Sequence, residues 1–381
     1  MARTEGRPLR EGFTTGTAAT AAALAALSLL LQGSAPVSVP TPLPPIAEGP
    51  RAWLDVPVLA CAPGPAPELA GQPQLCPAGA PAAYARVRKD GGDDPDATNG
   101  ALITASVVLQ PEAPAPRIRI EGGPGVGRVT LPGLPVPVGE AAINPGPQAQ
   151  LRYALTHALS QLAGEGPALT VVISVPGGEE LARHTLNPRL GIQGGISILG
   201  TQGTVRPYSH TAWRATVAQG LSVARATGCR TVCLSTGRRS EVLLMHRYPE
   251  LPEQAFIQAA DFARFSLAEA GRLPLERLVW GCFFGKLAKL AQGLEYTHAR
   301  EAPLDMGALA ALCAEAGAAC APQVARCVTA AHALELLLAD PARDAALAAV
   351  GARAIATARR FAGRAVTLHL FHTDGRELLT L

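Results

Sequence analysis

The sequence predicts an α/β (α+β) protein of two domains, and three observations carry that expectation. From Ala83 to Val138 short β-like runs (AYARVRK, ALITASVVL, RIRIEG, GRVTL) are separated by Gly/Pro turns, as in an antiparallel sheet. After about residue 190 the apolar stretches GISILG, TVCLST and RLVWG alternate with helical ones at about 210–227, 239–247, 253–270 and 284–292, the βαβ rhythm of a parallel sheet. At 381 residues the chain is long enough for two or three domains with a substantial core.

The first element lies in EGFTTGTAATAAALAALSLLL. Arg3, Arg7 and Arg10 followed by the apolar run Ala18–Leu31 resemble the n- and h-regions of a secretory signal. Glu5 and Glu11 dilute that charge, and the exit Gly33-Ser34-Ala35-Pro36 has no Ala-x-Ala site. The run is also short of the roughly 20 residues that a membrane span needs. A cytoplasmic core helix over 14–31, with Thr14, Thr15 or Thr17 as N-cap, is the favoured reading. Residues 33–83 are rich in Pro, Gly and Ala, with extended pieces such as Ala52–Leu59, and predict irregular β structure. A helix at about 146–162, opened by Asn144-Pro145, precedes the strand LTVVISV. Ala-rich helices fill 305–317 and 329–362, and AVTLHLFHTDGRELLTL closes as a hairpin turning at Asp374-Gly375. The domains are placed at 1–190 and 191–363, with the hairpin 364–381 expected to pack with the first.

Composition narrows the function classes. Hydrophobic residues are 48% but aromatics only 4%, so the core is Leu/Val/Ala packing. A net charge of +3 is too weak to argue for nucleic acid, but it suits a polyanionic small molecule held by local arginines. Eight cysteines form no C-x-x-C pair and no zinc-type spacing, and read as scattered thiols of a reducing compartment. No protein metal site is expected.

Five stretches carry candidate chemistry. KDGGDDPDATNG holds Asp90, Asp93, Asp94 and Asp96 without the register of a calcium loop. It is either a polar turn or a group of acids that orients a cationic or hydroxyl-bearing ligand. GIQGGISILGTQGTV supplies Gly194, Gly195, Gly200, Thr201 and Gly203. Its spacing is not G-x-G-x-x-G, and Thr201-Gln202 stands where a P-loop has Lys-Ser/Thr, so nucleotide hydrolysis is disfavoured. LSTGRRSE opens a helix after an apolar strand and offers Ser235, Thr236, Gly237, Arg238, Arg239 and Glu241, the arginines as carboxylate clamps and Glu241 as a helix cap or a ribose holder. GCFFGKLAKLAQG places Lys286 and Lys289 on one helix face, and His298 follows in a loop. The Gly-Gly turn of SVPGGEELARHTLNPRLG with Glu179 and Glu180 is explained by the helix dipole alone.

Taken in order, LREGFTTGTAATAAALAAL, KDGGDDPDATNG, GVGRVTLPGLPVPVGEAAINPGPQ, ISVPGGEELARHTLNPRLGIQGGISILGTQGTVRPYS, LSVARATGCRTVCLSTGRRSE and FFGKLAKLAQG closely resemble the cobalt-precorrin-5B C1-methyltransferases, the CbiD family of cobalamin biosynthesis. The resemblance runs from about residue 9 to 300, with departures at Arg238, Cys282–Phe284 and Tyr296. It implies a first domain like ribosomal protein S5 domain 2 and a Rossmann-like second one. It implies a cytosolic enzyme that methylates C-1 of a ring-contracted tetrapyrrole from S-adenosylmethionine, with cobalt arriving only inside the substrate. Under it, Thr14, Thr15, Gly16 and the residues of the glycine, acid and arginine stretches become candidates for holding substrate or donor, the helix entry GFTTGT by free N–H groups that meet a substrate carboxylate. Hand-over with neighbouring corrin-pathway enzymes is the partner expected, with no nucleic acid and no membrane. Two readings compete: a phosphate-binding small-molecule kinase, and a secreted binding protein resting on the N-terminal run alone.

Overall fold

The computed structural model describes residues 8–46, 49–50, 52–110, 118–162 and 167–381; Arg3, Arg7 and Arg117 of the motifs above lie outside them. The chain forms two units, Met1–Ser209 and His210–Leu381.

In the first unit, β1 (Gly12–Phe13) leads into α1 (Thr15–Gln32). Thr14 caps α1 by accepting from the Thr17 N–H, and Gly33, at φ 70°, ends it by returning its N–H to Leu29. After β2 (Ser38–Pro42), β3 (Trp53–Pro57) and β4 (Ala60–Pro63) come the long strands β5 (Ala82–Arg88) and β6 (Leu102–Gln110). Then follow β7 (Ile118–Gly122), β8 (Gly125–Val126), β9 (Arg128–Val129), α2 (Pro145–Leu162), β10 (Ala168–Ser174), α3 (Gly178–Ala182), β11 (Ile192–Gln193), β12 (Gly195–Ile196) and β13 (Thr204–Val205).

The main sheet has the order β4-β5-β6-β10-β7, antiparallel except that β10 runs parallel to β7 across the α2 crossover. Period-2 alternation sends Ala83, Ala85 and Val87 of β5, Ile103, Ala105 and Val107 of β6, and Leu169, Val171 and Ile173 of β10 to one face. α1 and α2 cover that face, and the alanines of α1 allow its backbone a close approach. α1 passes a length-and-composition test for a membrane span, yet most of it is buried inside this unit, so the favoured core-helix reading describes its place. Ser106 accepts from the Ala66 N–H, and Glu68 receives Arg86 and Thr104, which ties part of the Pro/Gly-rich stretch to the sheet through polar side chains.

The second unit opens with α4 (His210–Ala226), then β14 (Thr231–Ser235), α5 (Arg238–Arg247), β15 (Phe256–Gln258), α6 (Ala263–Gly271), β16 (Arg277–Phe283) and α7 (Phe284–Ala291). Next come α8 (Met306–Glu315), α9 (Ala321–Val324), α10 (Ala330–Leu338), α11 (Arg343–Ala362), β17 (Thr367–Phe371) and β18 (Glu377–Thr380). The sheet order is β15-β14-β16-β17-β18, parallel but for β18. Val232, Leu234, Trp280 and Cys282 enter the large core with α4, α6, α7 and α11, whereas Cys233 and Val279 face Leu244 and Tyr248 of the α5 side.

Four expectations need correction. The division falls at Ser209/His210, not at 190, because 191–205 is held by strands of the first unit. GISILG contributes the two-residue β12, paired with β8, and a bridge from Ile198 to Ile143, and is no strand of the parallel sheet. The terminal hairpin falls within the second unit, not the first, since its apolar strand β17 pairs with β16 and completes the parallel ladder. The stretch read as helical at 253–270 contains β15, and the helical region 329–362 is divided around Asp340-Pro341, where Asp340 accepts from the N–H groups of Ala342 and Cys320.

Candidate functional site

Each unit holds one set of the candidate residues. In the first, GFTTGT is locked to the glycine-dense loop. Thr14 N–H donates to Gly203 O (2.9 Å) and Gly16 N–H to Leu199 O (3.1 Å). The Thr15 hydroxyl accepts from Leu199 N–H at 2.9 Å, and the Thr17 hydroxyl donates to Gly203 O at 2.8 Å. The helix N-terminus was expected to offer free N–H groups to a carboxylate. Those of Thr14, Gly16 and Thr17 are instead satisfied internally, so this corner is built as a joint. Gly200, at φ 144°, has room for no side chain, because a Cβ would stand 2.3 Å from the Thr14 hydroxyl. Gly203 is in the left-handed region at φ 78°, and Thr201 is exposed at the loop tip.

The acidic loop crosses the same corner. Phe13 N–H donates to Asp90 O (2.8 Å) and Asp93 N–H to Arg10 O (3.0 Å). Every one of the four carboxylates has a protein partner. Asp90 pairs with the Arg10 guanidinium, whose hydrogen bond holds its carboxyl below the usual range. Asp93 accepts from Arg10 N–H at 2.7 Å and Asp94 from Tyr208 N–H at 3.0 Å. Asp96 meets the Lys89 ammonium and caps Thr98. Asp90 and Asp93 thus clasp the N-terminal segment at Arg10, while Asp94 and Asp96 are tied to Tyr208 and to the buried Lys89. Gly194 lies in open space, whereas Gly195 is pressed against Gly125, so close that a Cβ would fall 2.1 Å from its carbonyl oxygen.

In the second unit the strand order reverses between β14 and its neighbours: β15 lies on one side and β16 on the other. Open parallel sheets bind ligands at such a point, outside the carboxyl ends of the strands. There stand Ser235, Thr236 and Gly237. Ser235 is wholly buried and its hydroxyl has no hydrogen-bond partner. Gly237 takes φ 156°, with no atom within 4 Å of where a Cβ would stand, so the turn is open on its side-chain face. Thr236 and Ser240 hydroxyls lie 3.3 Å apart. Glu241, 0% exposed, accepts from Arg238 (2.8 Å) and from Gln258 of β15 (2.8 Å), so it anchors the turn to the next strand. Arg239 donates to Thr373 O at 2.7 Å and lies over the Phe283 ring at the end of β16.

The lysines are fasteners. Lys286 pairs with Asp261 and donates to Thr297 O (2.9 Å), and Lys289 donates to Thr297 O (3.1 Å) and His298 O (2.8 Å). Burial, then the neighbouring Lys286 charge, lowers the Lys289 pKa against the pull of Asp261. Together they pin the segment that carries Tyr296 and His298, whose rings stack 5.9 Å apart, and Tyr296 reaches His210 at 3.2 Å. His298 is half-exposed, with Glu301 3.6 Å from its Nδ1. Gln258, Asp261 and Thr297 were not singled out from sequence; reading FIQ as a strand would have marked the first two as strand-end residues. Among the described residues no group of His, Cys, Asp and Glu is arranged to hold a metal ion.

Fold and site define a mixed α/β protein with an open glycine turn at the reversal point of a parallel sheet. The CbiD family model matches residues 2–207 and the CbiD C-terminal domain model residues 296–380. The chain is 56% identical over 97% of its length to a cobalt-precorrin-5B C(1)-methyltransferase of Nitratidesulfovibrio vulgaris, covering 92% of that protein. Proteins of the same name from Geobacillus kaustophilus (48% identity, 83% of this chain, 78% of the relative) and Burkholderia lata (43%, 96% and 94%) also match. A crystal structure of the cobalamin biosynthesis protein cbiD of Archaeoglobus fulgidus aligns at 29% identity and TM-score 0.39, over 74% of this chain and 80% of that one. This chain belongs to the CbiD family.

Proposed function

We propose that the chain is a cobalt-precorrin-5B C(1)-methyltransferase, acting in the cytoplasm and using S-adenosylmethionine as methyl donor. The observation that carries the reading is the 56% identity, across nearly the whole length of both chains, to a relative of that name. The relatives reported are methyltransferases, and Thr201-Gln202 replaces the phosphate-gripping pair of a P-loop, so the kinase alternative has no support.

The donor is assigned to the second unit, which we read as Rossmann-like; the parallel order β15-β14-β16-β17 supports this. The first unit we read as S5 domain 2-like, supported by its α1/α2-covered mixed sheet. The Gly237 turn fits such a ligand on two counts: a buried hydroxyl without a partner at Ser235, and open space beside Gly237. Ser235, Thr236 and the Gly237 backbone would hold the donor, and the exposed face of the Arg238 guanidinium would meet carboxylates of the polyanionic tetrapyrrole. The bound donor supplies an electrophilic methyl on a sulfonium. Methyl transfer from it to a ring carbon is an in-line displacement, so the residues' task is positioning and exclusion of water rather than strong acid–base chemistry. The test is incubation with cobalt-precorrin-5B and methyl-labelled S-adenosylmethionine. Label on the ring carbon C-1 is expected; no transfer, with the upstream enzymes active, overturns the proposal.

A further inference from the structure

We propose that Arg239 and the Tyr248–His369 pair are positioning residues: through them the C-terminal hairpin sets the orientation of α5 and so of the Gly237 turn at its start. The inference rests on the reading of that turn as the donor site.

Helix periodicity puts residues 239, 243 and 247 of α5 on one face. All three meet the hairpin. At the first turn Arg239 donates to the carbonyl of Thr373, in the loop between β17 and β18, at 2.7 Å. Midway, Leu243 Cδ2 lies 3.5 Å from where a Cβ on Gly375 would stand. At the last turn Arg247 lies 3.5 Å from the Glu377 carboxylate of β18. The end residue Tyr248 is 2.8 Å from Nε2 of His369 on β17. His369 is 1% exposed, and its Nδ1 faces Glu377 and the Thr380 hydroxyl. With Nδ1–H donating to the carboxylate, Nε2 is the acceptor of the Tyr248 hydroxyl, so a chain of polar groups, buried at Tyr248 and His369 and open to solvent at Glu377 and Thr380, runs from the helix end through one strand into the next.

The opposite face of α5 is fixed to the sheet by Glu241 and Gln258 and by Leu244, which fills the space that a side chain at Gly281 would occupy. A helix held along two faces is restrained from rolling, and the turn it carries is placed to match. Arg239 has a second hold on the site, because its guanidinium lies 5.2 Å over Phe283, at the end of β16 across the strand-order reversal.

The test compares Arg239→Ala, Arg239→Lys and Tyr248→Phe with the full-length wild type. Tyr248→Phe removes a single hydroxyl and leaves the ring packed, and Arg239 is exposed, so neither change depends on rescuing an emptied core. In ligand-free protein, amide exchange at Glu241–Leu244 is expected to speed up about tenfold in Arg239→Ala and Tyr248→Phe, with β14 and β16 unchanged. S-adenosylhomocysteine affinity falls about five- to tenfold while kcat at saturating donor holds, and Arg239→Lys recovers part of the loss. Unchanged exchange and affinity in both variants overturn the inference. Gly237→Val separates the two readings. If the wild type binds S-adenosylhomocysteine and Gly237→Val does not, the donor reading stands whatever the hairpin variants do. If the wild type does not bind it, that reading falls, and the exchange data alone decide whether the hairpin orients α5.

Discussion

The Lys89 ammonium, on a side chain only 2% exposed, is paired with the Asp96 carboxylate, whose side chain is 24% exposed. Burial pushes the Asp96 carboxyl upward, but the Lys89 charge and the hydrogen bonds from Lys89 and Thr98 outweigh it and hold the group below the ordinary carboxylate range. Breaking such a pair leaves a buried cation alone. Asp96→Asn is expected to lose about 2 kcal/mol in urea unfolding, below the usual 3–5 because water reaches the aspartate. The carboxyl is depressed in the folded state, so its stabilisation is complete above about pH 4 and fades as pH falls through its lowered value. The acid limb of the wild-type stability curve should therefore be steeper than that of Asp96→Asn.

Gly194 and Gly195 are neighbours with opposite constraints. Alanine at 194 meets open space and a left-handed backbone, a loss of roughly 1 kcal/mol. Alanine at 195 drives a methyl into the backbone of Gly125 and Gly127, and a loss above ~3 kcal/mol or an insoluble product is expected. Thermal melts of the two variants decide it; equal losses would refute the close crossing.

The thiols divide by burial. Desolvation pushes Cys233 and Cys282 up to about 12, which leaves almost no thiolate near neutral pH. In native protein at pH 8, iodoacetamide should label the partly exposed Cys61, Cys76, Cys229 and Cys320 well before Cys233 and Cys282. Peptide mass spectrometry with a denatured control gives the order, and early labelling of Cys282 would contradict its place in the core.

Lys289→Met keeps the stem packed and removes the donor to the carbonyls of Thr297 and His298. A loss of about 1–2 kcal/mol is expected, together with faster exchange in residues 294–300. If that segment exchanges as in the wild type, the lysines do not fasten it.

Much of this was legible locally. α1 was placed to within one residue because its cap Thr14 and its terminator Gly33 both stand in the sequence. The terminal hairpin was legible from Asp374-Gly375, but not which sheet it joins, because β17 has an apolar pattern that any parallel ladder accepts. The break at Asp340-Pro341 carries its signal in the proline that separates the two alanine-rich helices. At the candidate site, the turn at Gly237 was visible, but its partners were not. Arg10 finds Asp90, Glu241 finds Gln258 and Arg239 finds Thr373 across long separations that no local pattern encodes. Hence the sequence left Lys286 and the acidic loop open between a ligand role and a structural one, and could not supply the protein partners that the fold gives them.

The place of β17 bears on how the second unit comes together. It pairs with β16 from Val279↔Thr367 to Phe283↔Phe371, and all of α7 to α11 lies in the chain between them. Drawing those strands together closes a long loop before any ladder hydrogen bond offsets the lost entropy. The intervening helices share one apolar cluster and gather by shorter-range contacts. Loop-closure entropy therefore favours an order from helices to sheet, in which the α5 face that meets the hairpin would be covered late.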